Sequence, residues 1–472
     1  MSDPITQPLA PPPPARHVDA IIIGTGQAAP ALANRLSQAG LTVAVIERGA
    51  VGGTCVNVGC TPTKTMVASA YVARMAARAA EYGVRLAGPA SVDMVAVRAR
   101  ADAVVRASRD GLVDWIAGMP GVELIRGHAR FEGARRVRVG AQLLTADKVF
   151  INVGARASIP PLRGIGDVPC LTSSDMVAMD TLPRHLVIVG GSYIGLEFAQ
   201  VFRRFGAEVT VVERGPRLIA REDPEVSAEI LAILEHEGIR VRLDANCIGM
   251  RPHADGVAVD VDCASDAQPS IGSHLLIAVG RRPNTDDLGL GLGGVAVNEA
   301  GFIAVDEQLR TSAEGVWALG DCNGQGAFTH TAYNDFEIVA ANVLDGAARS
   351  VHARIPVYGL FIDPPLGRVG MTVAQARASG RRVGVGLRTM ARVGRAREKG
   401  ETQGSMRVVV DLDDGQILGA AILGPGGDEA VHQVLAAMAA GTPYTEAATL
   451  MAIHPTVAEL IPTIFGEVKP LA

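Results

Sequence analysis

Two stretches of the chain share one pattern of apolar and polar positions. Residues 19–49, DAIIIGTGQAAPALANRLSQAGLTVAVIERG, begin with an apolar, β-branched run and pass through a glycine-rich turn into a stretch with helical spacing. After a glycine they return to a second apolar run that closes on an acid. Residues 185–215, HLVIVGGSYIGLEFAQVFRRFGAEVTVVERG, repeat that order. The offsets coincide: Gly24 to Gly40 and Gly190 to Gly206 are both 16, and Gly24 to Glu47 and Gly190 to Glu213 are both 23. Each stretch predicts a strand–turn–helix–strand unit.

Elsewhere the patterning is less regular. Strand-like runs (VELIRGHARF, RRVRVG, KVFINVG) fill residues 120–150. A helix is predicted from Thr61 to about Ala80, and another over 223–238, opened by Asp223-Pro224 and closed by Gly238. Short β runs follow from 240 to Gly280. Residues 346–472 mix strands (SMRVVVDL, QILGAAIL) with a helix around 428–440, and carry no third copy of the repeat. The first 17 residues, MSDPITQPLAPPPPARH, read as a Pro-rich disordered tail.

Composition narrows the function classes. With 48% hydrophobic and 20% charged residues the chain is expected to be globular over most of its 472 residues. The 54 glycines exceed the usual share and fit many tight turns. A net charge of −5 and only 4% aromatics argue against a nucleic-acid partner. No apolar run reaches the length of about 18 residues a membrane span requires. Without a basic segment leading into an apolar one at the start, a cytoplasmic, reducing location is expected. There the six cysteines are to be judged one by one and not as a disulfide framework.

The repeated unit matches the dinucleotide-binding fingerprint. A small first residue lets the strand turn, a second lets the backbone approach a pyrophosphate, and a third lets helix pack on strand. The terminal acid accepts hydrogen bonds from ribose hydroxyls. Here the three are Gly24, Gly26 and Ala29 in one copy and Gly190, Ser192 and Gly195 in the other, with Glu47 and Glu213 as the acids. Directly after the first copy comes GGTCVNVGCTPTK, residues 52–64. Its two cysteines, Cys55 and Cys60, read as a redox pair. No second cysteine pair and no HExxH accompanies them, so no metal site is expected. Cys170, Cys247, Cys263 and Cys322 stand alone and default to small buried or semi-exposed hydrophobes. On the predicted helix Cys60 and Lys64 are i and i+4, so the lysine can favour a thiolate. The cluster Arg388, Arg392, Arg395, Arg397 and Lys399 reads as a solvated loop or strand edge.

In combination, GGTCVNVGCTPTK, GGSYIGLE, VGRRPN, Gly320-Asp321 and HPTVAE resemble the class I pyridine nucleotide–disulfide oxidoreductases. These include glutathione reductase, dihydrolipoamide dehydrogenase and mercuric reductase; GCTPTK and AREDPEVS look most like the mercuric-reductase branch. The resemblance implies an α/β fold with two Rossmann-like dinucleotide-binding domains and a C-terminal α+β dimerisation domain. It implies an FAD-binding domain from 18–150 and 277–345, an NAD(P)-binding domain from 151–276, and an interface domain from 346–472.

The resemblance also implies roles. Gly24, Gly26 and Glu47 hold FAD, with Gly53 and Thr54 near its diphosphate, Asp321 on its ribityl chain, and Ala129, Thr329 and Lys64 lining it. Gly190, Gly195, Gly280 and Glu213 hold the nicotinamide nucleotide, with Tyr193 as a gate and Glu197 paired with Lys64. Where the family often shows an Ala-Thr-Gly turn, this chain has Asn152-Val153-Gly154. Cys60 is the implied flavin-side thiolate, Cys55 the interchange thiol, and His454, oriented by Glu459, the acid/base donated across a homodimer interface.

The implied activity is passage of a hydride from nicotinamide through FAD to Cys55–Cys60 and on to a small disulfide. The alternatives are a metal-ion or quinone reductase and a dihydrolipoamide-dehydrogenase-like subunit of a larger complex. Glu213 favours NADH; Arg214, Arg217 and Arg221 leave NADPH open. No cysteine follows Cys322, so the terminal cysteine pair of mercuric reductases is missing from the sequence.

Overall fold

The computed structural model describes residues 15–261 and 268–471. It is a mixed α/β structure that divides into two compact units. The first takes in the chain up to Asn57, Val105–Arg156 and Arg281–Ala353. The second takes in Val58–Val104, Ala157–Gly280 and the chain from Arg354 onward.

The first unit is built on a seven-stranded sheet. Strand Arg16–Ile23 lies between Val43–Glu47 and Gln142–Ile151 and runs parallel to both, with Ala20 opposite Val43 on one side and Lys148 on the other. Val122–Arg126 and Val316–Ala318 extend the parallel part, and Arg136–Val139 and Ala129–Gly133 add an antiparallel flank. The run Ala20–Ile23 is apolar at every position because both faces are covered. Ile21 and Ile23 join Ile46, Val149 and Ile151 in one core cluster. Ala20 and Ile22 face Leu32 and Leu36 of helix Ala29–Gln38 in another.

The second unit holds three sheets. A parallel one carries His185–Val189 between Glu208–Val212 and His274–Ile277, with Arg240–Arg242 at one edge. A small antiparallel one comprises Gly249–His253, Gly256–Asp260 and Ser270–Gly272. A six-stranded antiparallel one runs Val357–Leu360, Leu366–Gly370, Ile417–Leu423, Ser405–Asp411, Val383–Thr389, Lys469–Pro470. Val431 and Val434 of helix Gly427–Ala439 bury with Ala420 and Ile422 of that last sheet.

Several details depart from the sequence reading. The first strand begins at Arg16, inside the stretch read as tail, because Arg16 and His17 find ladder partners in Leu144 and Thr145. The rest of that stretch, residues 1–14, lies outside the described residues. Residues 58–104, read as part of the first dinucleotide domain, pack within the second unit. Helix Cys60–Ala77 buries Met66 and Ala70 with Leu196, Phe198 and Phe202 of helix Tyr193–Phe205, and that apolar burial accounts for the grouping. Cys247, read as a lone thiol, is disulfide-bonded. Cys263 lies outside the described residues. Among the described residues no helix is long and apolar enough to cross a membrane.

Candidate active site

In the first unit the chain leaves strand Arg16–Ile23 through Gly24 at φ +96, a left-handed conformation that favours glycine. A Cβ there would run into the carbonyl oxygen of Asn152. A Cβ on Gly26 would lie 2.8 Å from Asn152 Oδ1, and one on Gly53 would lie 3.0 Å from the Gly26 Cα. The three glycines thus form a cradle that side chains would fill. Glu47 closes the unit. Its Oε2 accepts bonds from the Thr25 N–H (3.0 Å) and hydroxyl (2.6 Å), and its Oε1 accepts one from the Gly49 N–H (2.7 Å). Those bonds fix the carboxylate at the strand end and leave lone pairs for ribose hydroxyls.

Asp321 lies in the same unit, partly buried, with its carboxylate 3.5 Å from the Arg281 guanidinium. Burial raises its pKa and the nearby Arg281 opposes the rise. Thr54 Oγ1 reaches the Ala155 carbonyl at 3.5 Å. Thr329, first residue of helix Thr329–Leu344, donates from Oγ1 to Cys55 Sγ at 3.2 Å. Ala129 is a methyl group in the core beside Phe131 and Val139. Cys322 is fully buried, and burial pushes its thiol up to about 12, so it is no thiolate at neutral pH.

The second unit holds the other half of the implied machinery. Lys64 Nζ meets Glu197 Oε2 at 2.6 Å. The Glu197 side chain is only 5% exposed, and its other oxygen accepts the Phe361 N–H at 3.1 Å. The ammonium also sits 4.6 Å from the centre of the Phe361 ring. A buried carboxylate with an ion pair and a backbone donor is fully compensated, so the lysine is held in one place. Cys60 heads the helix that carries Lys64 one turn later.

The nucleotide turn of this unit repeats the first. Gly190 has φ +118, and a Cβ there would run into the Ala278 carbonyl. Gly195 packs so tightly on the Gly190 carbonyl that no side chain fits. Glu213 accepts the Gly191 N–H (2.6 Å) through Oε2 and the Gly215 N–H (2.7 Å) through Oε1. Gly280 O accepts the Ser158 N–H at 3.0 Å. Tyr193 opens helix Tyr193–Phe205, stands edge-on to Tyr358 at 5.6 Å, and lies 5.0 Å beneath the Arg221 guanidinium. Burial raises the pKa of its hydroxyl.

Farther along, His454 Nδ1 is 2.9 Å from Glu459 Oε2. That bond leaves Nε2 facing outward, and the His454 side chain is largely exposed. Arg395 Nη2 donates to the Pro455 carbonyl at 2.7 Å and so steadies this segment. In the same cluster Lys399 pairs with Glu401, and Arg388 with Glu467.

The comparisons with known proteins identify the family. The family model "Pyridine nucleotide-disulphide oxidoreductase" matches residues 18–335. The chain belongs to this family. Its dimerisation-domain model matches residues 357–464. The "Probable pyridine nucleotide-disulfide oxidoreductase RclA" of Escherichia coli (strain K12) is 36% identical over 458 residues, 95% of this chain and 99% of that one. A mercuric reductase of Acidithiobacillus ferrooxidans is 33% identical over 420 residues, 87% of this chain and 75% of that one. The solved structure of the HOCl-induced flavoprotein disulfide reductase RclA from E. coli superposes with TM-score 0.87 at 35% identity, over 96% of this chain and 100% of that one. The chain is therefore a flavoprotein pyridine nucleotide–disulfide oxidoreductase, of a family that depends on FAD and takes electrons from NAD(P)H.

Sequence reasoning missed four contributors: Thr25 on Glu47, Arg281 beside Asp321, Phe361 against the Lys64–Glu197 pair, and Arg221 over Tyr193. Only Thr25 carried a local signal, a hydroxyl next to the turning glycine. The other three reach their targets through the fold.

Proposed function

We propose that the protein reduces a small disulfide at the expense of NADH, with Cys55 and Cys60 as its dithiol. The overall balance is NADH + H⁺ + RSSR → NAD⁺ + 2 RSH. The observation that carries this reading is the glycine cradle of Gly24, Gly26 and Gly53 beside the clamped Glu47, followed at once by the cysteine pair. FAD, when bound there, supplies the two-electron transfer between nicotinamide and disulfide. Gly24, Gly26, Gly53, Thr54, Glu47 and Asp321 would hold it, and Gly190, Gly195, Gly280 and Glu213 would hold the nicotinamide nucleotide.

Each protein group has a task in this scheme. Cys55 attacks the substrate disulfide as a thiolate and releases one thiol. Cys60 then displaces the second and closes the Cys55–Cys60 disulfide. His454, with Nδ1 bound to Glu459, gives the leaving thiolate its proton from Nε2. The Glu197-held Lys64 places a fixed positive charge one helical turn from Cys60. Met451 and Ile453, 100% and 80% exposed beside His454, together with the dimerisation-domain match, support a homodimer in which this segment is covered.

Glu213 supports NADH, since a carboxylate fixed at that strand end repels a 2′-phosphate. Arg217 is turned to the Ala220 carbonyl at 3.0 Å.

A second reading, reduction of a soft metal ion by the same dithiol, is favoured by one observation: the related E. coli RclA has been solved as a Cu(II) complex. NADH oxidation measured in parallel with lipoamide, glutathione disulfide, Cu(II) and Hg(II) tests both. Turnover with a disulfide, abolished in Cys55→Ser, is the expected result. Turnover with the metal ions alone sustains the second reading, and disulfide turnover that survives Cys55→Ser refutes the first.

A further inference from the structure

Asn152 follows strand Gln142–Ile151. Its main-chain N–H donates to the Ile23 carbonyl at 2.8 Å, which ties it to the end of the first strand. Its side-chain Nδ2 donates to the Leu319 carbonyl at 2.9 Å. The residue is 5% exposed, and its Oδ1 is buried without a hydrogen-bond partner among the described residues. Rotating the amide would set Oδ1 against the Leu319 carbonyl, acceptor against acceptor, so the orientation is fixed. Oδ1 points at Gly26, whose missing side chain leaves it room: a Cβ there would lie 2.8 Å away. The amide thus spans from the Gly24–Gly26 turn to the Leu319–Asp321 segment.

A buried acceptor with no donor is costly, and native proteins seldom keep one without a purpose. A diphosphate at neutral pH has no proton to offer it. We propose that Asn152 Oδ1 is a cofactor-binding acceptor, satisfied by an O–H group that arrives with FAD: a ribityl hydroxyl, or a water held against the diphosphate. The proposal rests on the reading that this unit holds FAD.

The test compares wild-type protein and Asn152→Leu, each stripped of flavin. FAD binding is followed by flavin fluorescence, ADP binding by calorimetry, and apoprotein melting reports folding separately. Asn152→Leu, similar in volume but without an acceptor, is expected to weaken FAD about tenfold. If the donor is a ribityl hydroxyl, ADP binding by Asn152→Leu is unchanged. If the donor is water on the diphosphate, ADP weakens in step with FAD. A folded Leu variant that binds FAD within about twofold of wild type overturns the proposal, even if its melting point falls, because that pattern marks a purely structural amide. If the Leu variant does not fold, Asn152→Ala takes its place under the same criterion. Wild-type apoprotein that takes up no FAD overturns the underlying reading as well, and is distinguished by the wild-type titration alone.

Discussion

The two nucleotide turns hold their terminal acids with equivalent backbone donors and differ in what surrounds them. Glu47 accepts the N–H groups of Thr25 and Gly49; Glu213 accepts those of Gly191 and Gly215. The first turn adds the Thr25 hydroxyl on the acid and the Asn152 amide behind the glycines. The second has a bare Gly191 in place of Thr25, and at its helix start stands Tyr193 between Arg221 and Tyr358. One scaffold therefore appears in two finishes. On the proposed function, the first surrounds its ligand with fixed polar groups, as suits a group that stays, and the second sets Tyr193 as a gate, as suits one that comes and goes.

The strongest way to break this contrast is to block each turn in the same manner. Gly24→Ala and Gly190→Ala each drive a methyl group into a backbone carbonyl. Gly24→Ala is expected to yield colourless protein with no NADH oxidation. Gly190→Ala should stay yellow and lose about a hundredfold in kcat/KM for NADH, since overpacking of this kind costs roughly 1–3 kcal/mol. Absorbance of the purified proteins and steady-state kinetics read both; loss of flavin from Gly190→Ala would end the distinction.

A milder pair sharpens it. Glu47→Gln and Glu213→Gln each trade charge-assisted bonds, worth roughly 1.5–3 kcal/mol, for neutral ones. Glu47→Gln is expected to raise the FAD dissociation constant about tenfold. Glu213→Gln should leave FAD binding alone, raise KM for NADH by a similar factor, and narrow the preference over NADPH, as measured by parallel assays with the two nucleotides.

The smallest effect concerns pH. His185 and His274, on neighbouring parallel strands of the second unit, have pKa values held below 6.5, chiefly by burial. A histidine with a depressed folded pKa contributes nothing unfavourable above 6.5, where both states are neutral. As pH falls below that value the unfolded chain takes up protons the folded one refuses, and stability declines until the folded pKa is passed. Hydrogen-exchange protection, corrected for the intrinsic pH dependence of exchange, is therefore expected to fall in His185–Val189 and His274–Ile277 as pH drops below 6.5, more than in Arg16–Ile23. Equal changes in both sheets, read by mass spectrometry, would count against it.

Much of this was legible in the sequence wherever geometry is local. A glycine that must turn left-handed, a helix packed on its strand and an acid at the next strand end fall at fixed spacings, so Gly24 with Glu47 and Gly190 with Glu213 stand out from pattern alone. The Lys64–Glu197 pair, 133 residues apart, was reachable only through resemblance to a family. Phe361 gave no such signal, and the sequence marked Arg221 and Asn152 without their contacts, because each matters through a neighbour brought to it by folding. The packing of residues 58–104 was illegible for the same reason: their helix meets the apolar face of a helix more than a hundred residues later.

The bare apolar rim around His454 carries one more consequence. A subunit that shows Leu450, Met451 and Ile453 to water has reason to find a mate, and the histidine travels on the same strip. On the proposed homodimer reading, diluting the purified protein until its copies separate should lower turnover per molecule before it releases any flavin.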